Sequence, residues 1–411
     1  MQYGLIGERL IHSFSPVIHR AIGRYPYNLR ELSPEKVEPF LTERDFLGIN
    51  VTIPYKETVI PYLYELDEGA RTLGSVNTIL NKDGKLYGYN TDFYGMCALF
   101  SHAGVDPKGR CVAILGTGGT AKTARGVLAQ LGAKEILTVS RTAKDGAIDY
   151  QALIERRSEI EVIVNTTPVG MYPKVDASPV SLEGFDALVG VIDAVYNPIS
   201  TRLVLDARSR GIAAEGGLYM LVAQAVRAAE LFSGSPIEDD EIERIYRSVL
   251  RKKQNVVLVG MPGVGKSTVG RDLARALGRA IFDTDAILKS RIGDIPSFIQ
   301  ENGEAAFREE ESKVVAEIAS ATASVIATGG GAVLRQENVN HLLQNGYIYF
   351  LDRPMDDLKV YDNRPLSSTR EALEARYRER YPIYSSIADV TVSGTRTREE
   401  CVKTILEDFT K

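Results

Sequence analysis

Short apolar runs punctuate the chain, each followed by a polar or glycine-rich turn and then by a helical pattern. Two of them pass straight into glycine-rich loops. Arg110-Cys111-Val112-Ala113-Ile114-Leu115 leads into Gly116-Thr117-Gly118-Gly119-Thr120, and Asn255-Val256-Val257-Leu258-Val259 leads into Gly260-Met261-Pro262-Gly263-Val264-Gly265-Lys266-Ser267. Between these loops, residues 135–139, 162–164 and 188–194 read as strands; after the second, so do 280–282, 324–327, 347–351 and 390–392. Strands alternating with helices predict an α/β chain built on parallel, doubly wound sheets. The two loops differ in kind, so they predict two nucleotide-binding domains of different types. The polar stretch Arg251-Lys252-Lys253-Gln254 reads as the linker between them. Nothing is low-complexity, and the halves are not repeats of each other.

Length and composition narrow the class. A chain of 411 residues exceeds one ordinary domain. Hydrophobic content of 44% and charged content of 25% suit a globular protein with sizeable cores. A net charge of −5 argues against nucleic acid or an anionic membrane as partner. Cys97, Cys111 and Cys401 are widely spaced without a CxxC pair, and His12, His19, His102 and His341 show no ligand spacing. A disulfide framework or zinc site is therefore not expected, and a reducing cytoplasm is. The start of the chain carries no signal-peptide pattern and no run reaches membrane-spanning length. Oligomeric state stays open.

Gly260 to Ser267 fits G-x-x-x-x-G-K-[ST] with a strand before it and a helix after it. Its amides can wrap phosphate at the positive end of the helix. Lys266 can reach the β- and γ-oxygens of ATP, and Ser267 can coordinate Mg²⁺, with Gly263, Gly265 and Thr268 completing the cradle. Downstream stand Phe282-Asp283-Thr284-Asp285, Phe307-Arg308-Glu309-Glu310-Glu311, Thr328-Gly329-Gly330-Gly331, Asn363-Arg364-Pro365-Leu366 and Arg380-Tyr381-Pro382-Ile383-Tyr384. In order and spacing, residues 255–411 resemble the shikimate kinase family. The resemblance implies that Asp283 lies near Mg²⁺ and takes the substrate proton, while Asp285 grips substrate hydroxyls. It further implies that Arg308 and Arg380 hold the substrate carboxylate, that Gly330 approaches the ring, and that Arg364 closes a lid on the phosphates. Guanidinium forks and close glycine backbone suit a small anionic polyol. The segment from Asp352 to Asn363, with Arg353 and Lys359, is shorter and less arginine-rich than the family's usual lid.

Gly116, Gly118 and Gly119 fit a dinucleotide loop, and Ser140-Arg141-Thr142 ends the next strand. An acidic residue at that place would bind ribose hydroxyls. Arg141 with Thr142 suits a 2′-phosphate instead, favouring NADP(H) over NAD. Ser13-Phe14-Ser15-Pro16, the run Asn50 to Lys56, Ser75-Val76-Asn77-Thr78 and the run Gly88 to Asp92 precede this loop. Asn165 to Met171, Tyr196-Asn197-Pro198 and Gly217 to Gln224 follow it. Together they resemble the shikimate dehydrogenase family over residues 1–248. The resemblance implies that NADPH reduces 3-dehydroshikimate to shikimate, with Lys56 and Asp92 as the catalytic pair. Ser13 and Ser15 would hold the carboxylate with Tyr196 close by. Thr52, Asn77 and Gln224 would read the ring hydroxyls, and Thr167 and Met171 would border the nicotinamide. The implied architecture is a substrate-binding α/β lobe (1–105 with 217–248), a Rossmann NADP lobe (106–216) and a P-loop kinase domain (255–411). A quinate/shikimate dehydrogenase using NAD, fused to a weakly active or regulatory kinase-like domain, is the competing reading.

Overall fold

The computed structural model describes residues 2–10, 14–358, 369–394 and 397–410, so Ser13, Lys359 and Arg364 lie outside the described residues. The chain divides into two compact units, Met1–Leu250 and Arg251–Lys411.

The first unit opens with β1 (Tyr3–Gly7), α1 (Ser15–Ile22), β2 (Asn28–Glu31), α2 (Pro34–Glu43), β3 (Gly48–Val51), β4 (Glu65–Leu66), α3 (Glu68–Leu73), β5 (Thr78–Lys82), β6 (Lys85–Tyr89) and α4 (Thr91–His102). Their strands form one mixed sheet in the order β2-β1-β3-β5-β6-β4. Next come β7 (Cys111–Leu115), α5 (Gly119–Gln130), β8 (Glu135–Val139), α6 (Tyr150–Glu155), β9 (Val162–Asn165), β10 (Gly190–Asp193), α7 (Arg202–Ser209) and β11 (Ala213–Glu215). This second sheet is wholly parallel, in the order β11-β10-β9-β7-β8. Its direction of winding reverses between β7 and β9, which places a crevice at their carboxyl ends. Alternate residues of β7 serve opposite cores: Ala113 and Leu115 pack on one face, Val112 and Ile114 on the other. That is why the strand reads as an unbroken apolar run. The long helix α8 (Leu218–Ser233) then crosses α4.

The second unit repeats that logic. After α9 (Asp239–Lys253) come β12 (Asn255–Val259), α10 (Lys266–Leu277), β13 (Ala280–Asp283), α11 (Thr284–Ile292), α12 (Ile295–Ala319), β14 (Ser324–Ala327), α13 (Gln336–Asn345), β15 (Gly346–Asp352), α14 (Arg370–Ile387), β16 (Val390–Ser393) and α15 (Arg398–Phe409). The sheet is parallel in the order β13-β14-β12-β15-β16. Val257 and Val259 of β12 face one core, Val256 and Leu258 the other. Gly303, at φ 83°, breaks the helical run of α12 into two pieces.

The four polar residues expected to form a linker do not behave as one. Arg251 to Lys253 finish α9, and the Arg251 guanidinium lies 4.2 Å from the Tyr347 ring centroid and 5.1 Å from that of Phe409. Arg279 donates to the carbonyls of Arg251 at 2.6 Å and Gln254 at 2.7 Å. Lys253 is 1% exposed, and burial pushes its ammonium down to about 8. A basic run looks solvated in sequence. Here its Arg251 guanidinium is laid over aromatic rings and its Lys253 is buried.

Candidate active sites

In the first unit, α4 starts where Asn90 caps it, accepting from the Asp92 amide at 3.1 Å. This sets Asp92 in the first turn, where the Lys56 ammonium donates to its Oδ2 at 2.6 Å. The pair is only partly covered, with side chains 28% and 21% exposed, so an ion pair and open access coexist. Lys56 itself follows β3 by a short turn, close to the sheet's carboxyl edge.

Around the pair runs a chain of buried amides and hydroxyls. Asn77 is 3% exposed, and its Oδ1 accepts from the Thr91 amide at 2.8 Å, from Thr91 Oγ1 at 3.2 Å and from Thr78 Oγ1 at 3.1 Å. With its oxygen so engaged, the Asn77 side chain has its Nδ2 donors left to offer. Thr91 Oγ1 also lies 3.3 Å from Gln224 Oε1, its one hydrogen serving either Asn77 or Gln224, which ties α8 to α4. That approach needs Gly95: a Cβ there would sit 2.7 Å from the Met220 carbonyl and 3.0 Å from Gln224 Cβ. Thr52 packs beside Gly7 and donates its amide to Ile6. Tyr27 donates to Asn50 at 2.7 Å and is hydrogen-bonded by Ser15, while Asn50 donates to Thr78 at 3.0 Å. Tyr196 stands edge-on to Phe14, and burial raises its hydroxyl above the ordinary tyrosine range. The structure thus joins Ser15, Asn77 and Gln224 through hydrogen-bonded intermediaries. Sequence reasoning singled out neither Thr91 nor Gly95. A glycine inside an apolar helical pattern was the available signal for the latter.

The glycine loop lies at the crevice between β7 and β9. Gly116 has φ +113°, and a Cβ on it would meet Thr166 Oγ1 at 2.7 Å, so the close approach of the two loops requires glycine. At Gly118 and Gly119 an added Cβ meets nothing within 4 Å, and no side chain caps α5. Open backbone amides at a helix N-terminus fit a pyrophosphate. Thr167 donates to Asn165 at 2.7 Å in the turn that ends β9, and Met171, four residues on, is 44% exposed. Arg141 and Thr142 sit exposed after β8, where Ser140 hydrogen-bonds the Thr142 backbone. These residues fit an NADP cofactor. The buried polar end of the crevice contains Asp193, which accepts from Thr201 at 2.6 Å, Val195 at 2.9 Å and Asn165 at 3.0 Å. Burial outweighs these bonds and pushes its carboxyl up to about 6.

In the second unit a cleft of 660 Å³ opens at the carboxyl ends of β12, β13 and β14. Gly263 (φ +87°) and Gly265 (φ +103°) make the loop's left-handed turns, and Gly265 leaves α10 without a side-chain cap. Lys266 donates to the carbonyls of Gly260 at 2.7 Å and Met261 at 3.0 Å, while Ser267 and Thr268 line the cleft. The set fits a nucleotide phosphate chain with its Mg²⁺. Among the described residues, no cluster of three or more His, Cys, Asp or Glu could hold a metal by itself. Asp283 ends β13 and accepts from the Ala286 amide at 3.2 Å, so it caps α11. Asp285 lies in the cleft beside Gly329, whose Cβ position is 2.6 Å from its carboxylate. A Cβ on Gly330 would lie 2.7 Å from the Pro262 ring, and the Gly330 carbonyl accepts from the Tyr384 hydroxyl.

Arg308 and Arg380 both reach the cleft, in different states. Arg308 donates to Glu311 at 2.6 Å and to Glu304 at 2.9 Å. Burial raises the Glu311 carboxyl, with Arg308 opposing. Arg380 is 2% exposed, and its Nε has no hydrogen-bond partner. Arg376, which sequence reasoning passed over, lines the same cleft.

Comparison with known proteins covers both units. Residues 5–79 match the family model of the shikimate dehydrogenase substrate binding domain, and residues 262–410 match that of shikimate kinase. The shikimate dehydrogenase (NADP(+)) of Clostridium beijerinckii is 37% identical over 259 residues, which is 59% of this chain and 96% of that protein. Among solved structures, a chorismate mutase/shikimate 5-dehydrogenase fusion protein from Clostridium acetobutylicum aligns with a TM-score of 0.57 and 37% identity. The alignment covers 60% of this chain and 96% of that one. The shikimate 5-dehydrogenase of Thermus thermophilus, solved with NADP(H) and shikimate, aligns with a TM-score of 0.54 and 28% identity over 61% and 99% of the two chains.

Proposed function

This chain belongs to the shikimate dehydrogenase family and continues into a shikimate kinase domain; from that premise we propose how its own residues carry the two reactions. It is a bifunctional enzyme of the shikimate pathway. One half reduces 3-dehydroshikimate to shikimate with NADPH, and the other phosphorylates shikimate with ATP. NADPH supplies the hydride, and ATP with Mg²⁺ supplies the phosphoryl group.

In the reduction, Lys56 gives a proton to the carbonyl oxygen as the carbon beneath it accepts hydride, and Asp92 holds the ammonium in place. Asn77 donates its Nδ2 hydrogens to a ring hydroxyl, and Gln224, Thr52, Ser15 and Tyr196 fix the remaining edge. Ser13 completes that reading from outside the described residues. Gly116, Gly118 and Gly119 receive the dinucleotide pyrophosphate, with Arg141 and Thr142 at the 2′-phosphate and Thr167 and Met171 at the nicotinamide end. In the kinase, Asp285 orients the acceptor hydroxyl, and Asp283 serves metal and proton. Lys266 would leave its loop carbonyls for the phosphates; Arg364, expected at the same phosphates, lies outside the described residues. Arg308 and Arg380 hold the acceptor, with Gly330 against the ring. We also propose a division of labour in which 1–105 and 217–248 bind the ring, 106–216 bind the dinucleotide, and the kinase domain begins at Arg251. We propose a cytoplasmic setting, in keeping with three cysteines that are not in disulfides. Among the described residues, no helix is long and apolar enough to cross a membrane.

The Lys56–Asp92 ion pair, in the same unit as the dinucleotide loop, is the observation that carries the reading. A coupled assay with 3-dehydroshikimate, NADPH, ATP and Mg²⁺ tests it. Lys56→Ala lowers the reduction by about 10² to 10⁴-fold while added shikimate is still phosphorylated. Lys266→Ala does the reverse. Loss of both activities in either variant would refute the assignment of roles.

A further inference from the structure

The kinase cleft carries more positive charge than its family resemblance uses. Five basic and three acidic side chains line its described part. Arg308 has both terminal nitrogens engaged by Glu311 and Glu304, so much of its charge is answered inside the protein. Arg380, from α14, is buried with its Nε unsatisfied, and a buried donor without an acceptor marks a place where a ligand atom completes the structure. Arg376 precedes it by four residues, one helical turn, on the same face of α14. Its guanidinium is half-buried and lines the cleft, and no described hydrogen bond or ion pair engages it. Burial first, then the neighbouring Arg380, lowers its pKa below the ordinary arginine value. Two guanidinia crowded on one helix face, one of them bonded to Tyr384 but with its Nε unsatisfied, form a site for an anion.

We infer that Arg376 is a further substrate-binding residue of the kinase unit, forming with Arg380 a two-guanidinium cradle for the carboxylate of the phosphoryl acceptor. The inference rests on the kinase reading above. A phosphate of ATP is the other anion within this chemistry. Arg376 lies one helical turn from Arg380 on α14, with Arg308 and Glu304 of α12 among its charged neighbours, which favours the acceptor carboxylate. Arg308, already paired, then supports the cradle from the side of α12.

The experiment uses the full chain with Mg²⁺ and ATP. Two acceptors are compared, shikimate and its carboxamide, which keeps the ring and hydroxyls but carries no negative charge. Arg376→Gln raises KM for shikimate by about tenfold or more, while kcat and KM for ATP stay within about twofold. On the carboxamide, wild type and variant have the same KM. Arg376→Lys recovers part of the shikimate affinity, which a merely misfolded cleft does not. An unchanged KM for shikimate in Arg376→Gln overturns the assignment. So does a rise in KM for ATP instead, or an equal rise for acid and carboxamide. Wild-type protein that does not phosphorylate shikimate at all overturns the kinase reading and the cradle together.

Discussion

His19 lies on α1 with 1% of its surface exposed, its ring stacked on Tyr27 at 3.7 Å and its Nδ1 3.0 Å from the Tyr25 hydroxyl. Burial lowers its pKa to about 3, against an opposing hydrogen bond with Asn50. The unfolded chain therefore takes up a proton near 6.5 that the folded one refuses, and stability is lost as pH falls from there towards 3. The loss amounts to about 5 kcal/mol at its limit. Asp193 acts with the opposite sign: its raised carboxyl keeps a proton that the unfolded chain has released, so stability falls as pH rises from about 4 to about 6. Urea midpoints measured between about pH 4 and 7 should show His19→Gln with a flatter acid limb and Asp193→Asn with a steeper one. Equal slopes in all three proteins would refute both assignments. Neither burial could be read from the sequence, where His19 follows a polar motif and Asp193 ends a strand. The run Arg308 to Glu311 was legible as a motif, but not its pairing. Glu309 goes to Arg335, Glu310 to Lys313 and Glu311 to Arg308, a partition decided by helix facing rather than by order.

Secondary elements were the most readable level, for the fully buried β14 and for the half-buried edge strand β8 alike. The runs at 135–139 and 324–327 became β8 and β14 with the same ends, while 188–194 shortened to β10, whose flanks turn away after Asp193. Helix crossings were not legible, because they depend on residues distant in the chain. The α4–α8 crossing is set by Gly95, and Gly95→Ala forces a Cβ against the Met220 carbonyl, which is backbone and has little room to yield. Destabilisation of about 1–3 kcal/mol is expected. Gln224 would be displaced from Thr91, so the KM for shikimate oxidation should rise while phosphorylation is unaffected. Denaturant midpoints and the two separate assays check this. A variant as stable and as active as wild type would show that the crossing has slack.

For the molecule as a whole, the phosphate loops announce two nucleotide-binding units, and their division, between Leu250 and Arg251, falls at the start of the polar run. That run has the composition of solvated chain, yet Arg251, Lys253 and Arg279 bind it to the second unit. Proteins beginning at Arg251 and at Asn255 should therefore differ. The shorter one strips Arg251 from the Tyr347 ring, leaves Arg279 alone over Phe409 and is expected to be less stable by about 1–3 kcal/mol. Thermal unfolding of the two fragments measures the difference; identical midpoints would return the stretch to the role of a free tether. The three thiols carry a consequence of their own. Cys111 and Cys401 are buried in different units; burial pushes the Cys111 thiol up to about 11, and Cys401 is shielded from solvent by its packing. A disulfide reagent added to the unaltered enzyme would thus modify each only during a transient opening. Mass spectrometry of the two labelled peptides would give the opening rate of each half separately, in a single tube and without introducing a probe.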